Sequence, residues 1–109
     1  MQSKHFKETI FSAISATKTL DAMDITRHYG YSVQVVTKNK VIGISAVLKL
    51  QCSNDGTNFS DIASATLTIS DNGVQMLNLD GLHYRFIRSV ITYTSGTADI
   101  TINEVSKGQ

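Results

Sequence analysis

Leu50-Gln51-Cys52-Ser53-Asn54-Asp55-Gly56-Thr57-Asn58-Phe59-Ser60-Asp61-Ile62 runs an alternating strand into a polar turn that an aromatic residue closes. Asp-Gly is a turn signal because both residues tolerate the backbone angles that reverse a chain. Upstream, Ala46, Leu48, Leu50 and Cys52 share one face of a strand from Ile44 to Cys52, with Ser45, Val47, Lys49 and Gln51 on the other. Side chains alternate across a strand, so the first face is expected to look inward.

The same period of two extends in both directions. Tyr31, Val33 and Val35 alternate with Ser32, Gln34 and Val36, and Thr37-Lys38-Asn39-Lys40 reads as a polar turn. Downstream, Ala65, Leu67 and Ile69 alternate with Thr66, Thr68 and Ser70 before an Asp71-Asn72-Gly73 turn. Val74 to Leu79 reads as a strand of open facing. From His83 to Thr94, Tyr84, Phe86, Arg88 and Val90 lie on one face, with Arg85, Ile87, Ser89, Ile91 and Tyr93 on the other. Both faces carry large apolar groups, so one is expected in the core and the other against a loop or partner. Ser95-Gly96 reads as a turn into a last strand through Ala98, Ile100 and Ile102, and the final Lys107-Gly108-Gln109 is expected to fray.

The first twenty residues fit a helix by the spacing of Phe6, Ile10 and Ile14, and fit an edge strand by their threonines; the strand is the preferred reading. The expected organisation is an N-terminal arm or edge strand over residues 1–20 and a single β-sandwich domain over 21–109. Fold class is all-β: an antiparallel β-sandwich, jelly-roll or discoidin-like, of about seven to nine short strands.

Composition supports this and narrows function. The chain has 109 residues, room for one core, and lacks proline, while its abundant Thr, Ser, Val and Ile favour sheet. A net charge of +1 without any block of like charges argues against electrostatic binding of nucleic acid. No apolar run reaches the roughly 20 residues that a membrane helix needs. The opening Met1-Gln2-Ser3-Lys4-His5-Phe6 does not have signal-peptide character, so synthesis in the cytoplasm is expected. The single Cys52 can form no internal disulfide and is read as a small buried side chain.

Catalytic patterns are missing. His5, His28 and His83 lack ligand-pair spacing, and there is neither a Gly-x-Ser-x-Gly elbow nor a glycine-rich phosphate loop. The oxygen-rich loop at Ser53 to Phe59 lacks the spaced ligands and terminal Glu of an EF-hand, so it is read as a structural turn. The expectation is a non-enzymatic chain with no cofactor. In Tyr84-Arg85-Phe86-Ile87-Arg88, alternation puts the two arginines on opposite faces; Arg88 is expected to pair at the sandwich end, the alternative being contact with a neighbouring protein or sugar.

Taken together, Ser53-Asn54-Asp55-Gly56-Thr57-Asn58-Phe59, a middle hairpin, Tyr84-Arg85-Phe86-Ile87-Arg88 and Thr94-Ser95-Gly96-Thr97 resemble small β-sandwich virion structural proteins of tailed bacteriophages. The resemblance spans about residues 29 to 108. Its motif order is similar to that of discoidin-like sandwiches, with Phe59 where those carry Trp. It implies a virion component of the capsid-decoration, head-fibre or tail-associated kind, made in the host cytoplasm and partnered by the major capsid or tail protein. On this reading the chain is a homo-oligomer, a trimer being the favoured form, with interface residues Phe6, Ile10, Phe11, Arg85, Ile87, Ile91 and Tyr93. The alternative is a carbohydrate-binding module using Phe59, Tyr29 or Tyr93 with Asp55 or Asn58.

Overall fold

The computed structural model describes residues 4–108. Residues 1–3 of the expected arm, and Gln109, lie outside the described residues. Seven antiparallel strands form: β1 (Lys4–Phe11), β2 (Lys18–Thr19), β3 (Met23–Asp24), β4 (His28–Ser53), β5 (Ser60–Ile69), β6 (Gly73–Leu79) and β7 (Phe86–Gly108). Among the described residues all regular structure is β, arranged as a β-sandwich.

Two of these strands are not short. β4 has 26 residues and β7 has 23, and they pair antiparallel from Tyr31↔Ser106 through Lys38↔Asp99 and Ala46↔Tyr93 to Ser53↔Phe86. This ribbon bends in its middle, so its two halves serve opposite layers. In sheet I, the Tyr31 to Lys38 half of β4 pairs with β6 and the Ile100 to Lys107 part of β7 pairs with β1. In sheet II, the Ala46 to Cys52 half of β4 pairs with β5, and the first half of β7 pairs with the short β2 and β3. A long ribbon wound into two packed layers, four strands in sheet I and five in sheet II with β2 and β3 short, makes a β-sandwich.

The bend lies where sequence reading placed turns. Thr37 to Lys40 does not reverse the chain, and Ser95-Gly96 does not end a strand; β4 and β7 continue through both, with register shifts between Lys38 and Ala46. Asn39, Gly43 and Gly96 adopt left-handed φ of 55°, 92° and 76°. Such residues twist and kink a paired ribbon without breaking it. A turn residue therefore marks a change of direction, and pairing of the flanking strands decides whether that change is a hairpin or a bend. Two further corrections follow from the register. β5 and β6 belong to different sheets, so Asp71-Asn72-Gly73 crosses between layers rather than closing a hairpin. Lys107 and Gly108, expected to fray, pair with Gly30 and His28.

Inward faces match the period-2 reading along most strands. Val33, Val35, Leu48, Leu50, Ile69, Ile100 and Ile102 are fully buried in one core between the layers. Burying each such side chain contributes roughly 1.5–3 kcal/mol. Cys52, expected to be buried, is half-buried. The segment joining β1 to β4 lies along the β7 edge, held by Ile14 N–H to Ala98 O, Leu20 N–H to Ser89 O and Ile25 N–H to Arg85 O, each 2.7–2.9 Å.

Gly96 is where the bend is tightest. A Cβ there would fall 2.5 Å from Cα of Ile44, whereas one at Gly43 would meet nothing within 4 Å. Gly96→Ala should therefore cost about 3 kcal/mol in urea unfolding, combining overpacking and backbone strain. Gly43→Ala should cost only about 1–2 kcal/mol, the left-handed penalty alone. Equal losses in the two variants would contradict this account of the bend.

Candidate interaction surface

The two layers present different outer faces. On sheet II, Lys49 pairs with Asp61 at 3.4 Å, Gln51 donates to Asp61 Oδ1 at 2.8 Å, and Arg88 Nε donates to Gln51 Oε1 at 2.8 Å. The Arg88 guanidinium also lies 3.9 Å from the centre of the Phe59 ring. Thr66, Thr68 and Thr92 are exposed on the same layer. These groups satisfy one another and face water, and the hydrogen bond from Gln51 holds the Asp61 carboxyl below its ordinary pKa.

Sheet I mixes paired polar groups outside, Ser32 with Asn78 at 2.7 Å and Asn103 with Gln34 at 3.3 Å, with exposed apolar side chains. Cross-strand register aligns Ile10, Thr101, Val36 and Val74 in one row, and Glu8, Asn103, Gln34 and Met76 in the next. A third row runs Phe6, Val105, Ser32 and Asn78. Phe6 is 69% exposed and Ile10 63%, and Val74 and Met76 are also more than half exposed. Along its outer edge β1 has no neighbouring strand among the described residues, leaving eight residues of backbone available for pairing.

The sequence-derived interface residues do not gather on this face. Phe6 and Ile10 lie on it. Phe11 points inward, half-buried against the core, with Lys18 Nζ 6.0 Å from its ring centre. Ile87 and Ile91 are fully buried, which corrects the expected facing of the first half of β7. Its two faces have similar apolar weight, and packing against sheet I selects the Ile87, Ser89, Ile91 side. Arg85 ties two loops, its amide donating to Asn54 Oδ1 at 3.2 Å and its guanidinium to Asn54 O at 3.3 Å. The Tyr93 hydroxyl donates to Gly96 O at 2.6 Å, at the bend. Sequence reading missed Val74 and Met76, because β6 carries apolar residues on both faces and Leu77 and Leu79 compete for the core.

Nor do the residues suggested for sugar binding form one site. Phe59 is engaged by Arg88, five residues along β7 from Tyr93. Asp55 accepts from the Ser53 hydroxyl and from the Thr57 and Asn58 amides through Oδ1, and from the Asn58 side chain through Oδ2, at 2.8–2.9 Å. These bonds, led by the Asn58 and Thr57 amides, drive its carboxyl far below the usual range and occupy both oxygens. Among the described residues no cluster of three His, Cys, Asp or Glu side chains could hold a metal.

Among the described residues one acidic side chain is buried between the layers. Glu104, fully buried on sheet I, accepts from the Tyr31 hydroxyl at 2.5 Å, with the sheet II Ser89 hydroxyl 3.4 Å away. Tyr31 and Ser89 hydroxyls are 3.1 Å apart, so the cluster joins both layers. Oε1 of Glu104 has no hydrogen-bond partner among the described residues; Lys7 Nζ of β1 approaches to 3.9 Å and donates to Asp21 O at 2.5 Å. Burial raises the Glu104 pKa, partly offset by the Tyr31 hydrogen bond and the Lys7 charge.

No protein-family model matches the chain, and no curated protein matches it. Solved structures do share its fold. It is similar to the Bacillus endospore appendages described as a novel family of disulfide-linked pili, with TM-score 0.68 and 10% identity, covering 99% of this chain and 88% of that one. It is similar to the SPBc2 prophage-derived protein YomS, with TM-score 0.64 and 10% identity, covering 99% and 96%. It is also similar to the PBSX exported protein XepA, with TM-score 0.65 and 6% identity, covering 97% of this chain and 37% of XepA. At such identities the likeness is one of fold.

Glu104 gives a pH test. Because its folded pKa is raised, its stabilising contribution is fully present below the unfolded value near 4.5 and is lost as pH rises through the folded value. Thermal midpoints from about pH 4 to 8 should show the wild type losing ground to Glu104→Gln as pH increases. Parallel profiles would contradict burial as the dominant influence on this carboxyl.

Proposed function

We propose that the chain is a non-enzymatic structural module of a phage particle or related surface assembly, docking on a repetitive protein lattice through the outer face of sheet I. The observation that carries this reading is the number of large apolar groups left in water on sheet I: Phe6, Ile10, Val74 and Met76 are each more than half exposed, beside the edge of β1 that is unpaired among the described residues, whereas the outside of sheet II exposes only Val47 among its large apolar side chains. Contiguous exposed apolar surface rimmed by polar residues marks protein contact. Two of the similar folds are a pilus and a prophage-derived protein, which supports an assembly role. A capsid-decoration or head-fibre position on the virion, with several copies per attachment point, fits a small sandwich with large apolar groups exposed on one layer.

Covering that face removes apolar surface from water, and the β1 edge adds main-chain hydrogen bonds to a neighbour. The experiment is co-sedimentation of the protein with particles from producing cells, with light scattering of the purified chain. The wild type should sediment with a large assembly. Ile10→Asp combined with Met76→Asp should stay in the supernatant with an unchanged thermal midpoint, since both side chains already face water. A wild type that stays monomeric and never joins a particle would overturn the reading.

A further inference from the structure

The two unpartnered features at opposite poles of the sandwich match each other. At the bend, Ile42, Gly43 and Ile44 fall between Val41↔Thr97 and Ser45↔Ser95 with no register partner in β7, the Ser95 hydroxyl donating to Gly43 O at 2.7 Å. The backbone bulges outward there, leaving Ile42 94% exposed with half-exposed Val41 beside it. A branched aliphatic side chain almost wholly in water contributes nothing to this fold. Lys38 and Lys40 flank it; Lys40 pairs with Asp71 at 3.0 Å, and Lys38 forms no ion pair among the described residues.

Twelve residues back along β4 from Ile42, at Gly30 and roughly 40 Å along the strand at strand spacing, a groove of about 390 Å³ opens at the other end of sheet I. Phe6, Leu79 and Val105 supply its apolar lining and Gly30 its floor, with Asp80 and Lys107 at the rim. A Cβ at Gly30 would sit 3.6 Å from Lys107 Cγ and 3.7 Å from Asp80 Oδ1, ordinary contact distances that show how closely the rim surrounds this glycine. The molecule's long axis is 44 Å, so knob and groove lie near its two ends.

We propose that copies of this chain join head to tail, the Val41–Ile42 knob of one seating in the Phe6, Gly30, Val105 groove of the next, with Lys38 beside Asp80. The occupant is a second copy because the chain itself carries the complement: an aliphatic projection flanked by Lys38 for an apolar cleft whose rim carries Asp80 alongside Lys107. A contact between different patches is heterologous, and it builds a ring if the rotation closes and a filament if it does not. This rests on the assembly reading above and adds a second surface, distinct from the Ile10 and Met76 rows.

Sedimentation velocity over a concentration series tests it. The wild type should form oligomers that grow with concentration. Ile42→Asp removes the knob and Gly30→Leu fills the groove; each should weaken self-association by on the order of tenfold or more. Mixed in equal amounts, the two should form a heterodimer and nothing larger, because the first keeps a groove and the second a knob. Should Gly30→Leu fail to fold, Asp80→Lys replaces it, acting by repulsion of Lys38. A wild type that is monomeric throughout, variants that associate like wild type, or a mixture that yields no heterodimer would each overturn the head-to-tail contact. If it falls while Ile10→Asp with Met76→Asp still abolishes particle association, the assembly reading stands without it.

Discussion

Everything in this sandwich depends on keeping β4 and β7 paired through a bend. Among the described residues the ribbon they form is the only element present in both layers, and the five other strands attach to one of its halves. If it broke into separate hairpins, the register that faces Val33 and Val35 toward Leu48 and Leu50 would be lost, because a slip of one residue exchanges inside for outside. The bend exists because Gly96 has no Cβ to collide with the Ile44 backbone and because Gly43 and Asn39 can adopt left-handed angles.

The same bend gives the molecule two unlike ends and two unlike sides. Folding a ribbon over itself leaves extra residues at the outside of the corner, and here they include Ile42 and Gly43, next to the exposed Val41. Covering one core from both layers leaves two outer faces. Sheet II fills its own with a chain of donors and acceptors from Lys49 to Arg88, while sheet I keeps aliphatic and aromatic groups in water. Between the layers Glu104 runs counter to hydrophobic packing, since a buried carboxyl with one unsatisfied oxygen weakens the fold at neutral pH. The hydroxyls of Tyr31 and Ser89 bind it from both sheets and fix how those sheets are aligned.

Much of this was legible in the chain. Alternation along Tyr31 to Val36, Ile44 to Leu50 and Ala98 to Ile102 placed the buried residues correctly, because burial on one face leaves a period of two that no other structure imitates. Where both faces were apolar, as in Phe86 to Tyr93 and Val74 to Leu79, the period gave no direction, and Ile87 and Ile91 were assigned to the wrong side. Phe59 closes the polar turn in the sequence, and in the fold it lies against Arg88, a partner 29 positions away that no local pattern discloses.

The sequence by itself determined that the chain is an antiparallel β protein with one core, because proline-free alternating runs and Asp-Gly or Asn-Gly turns are local signals. Only the tertiary structure decided which turns are hairpins and which are bends, which apolar face is covered, and where the uncovered one lies. Those are set by pairing between residues far apart in the chain. Phe6 and Val105, ninety-nine residues apart, become neighbours on one face only after the β4–β7 ribbon has folded over and β1 has added to its edge.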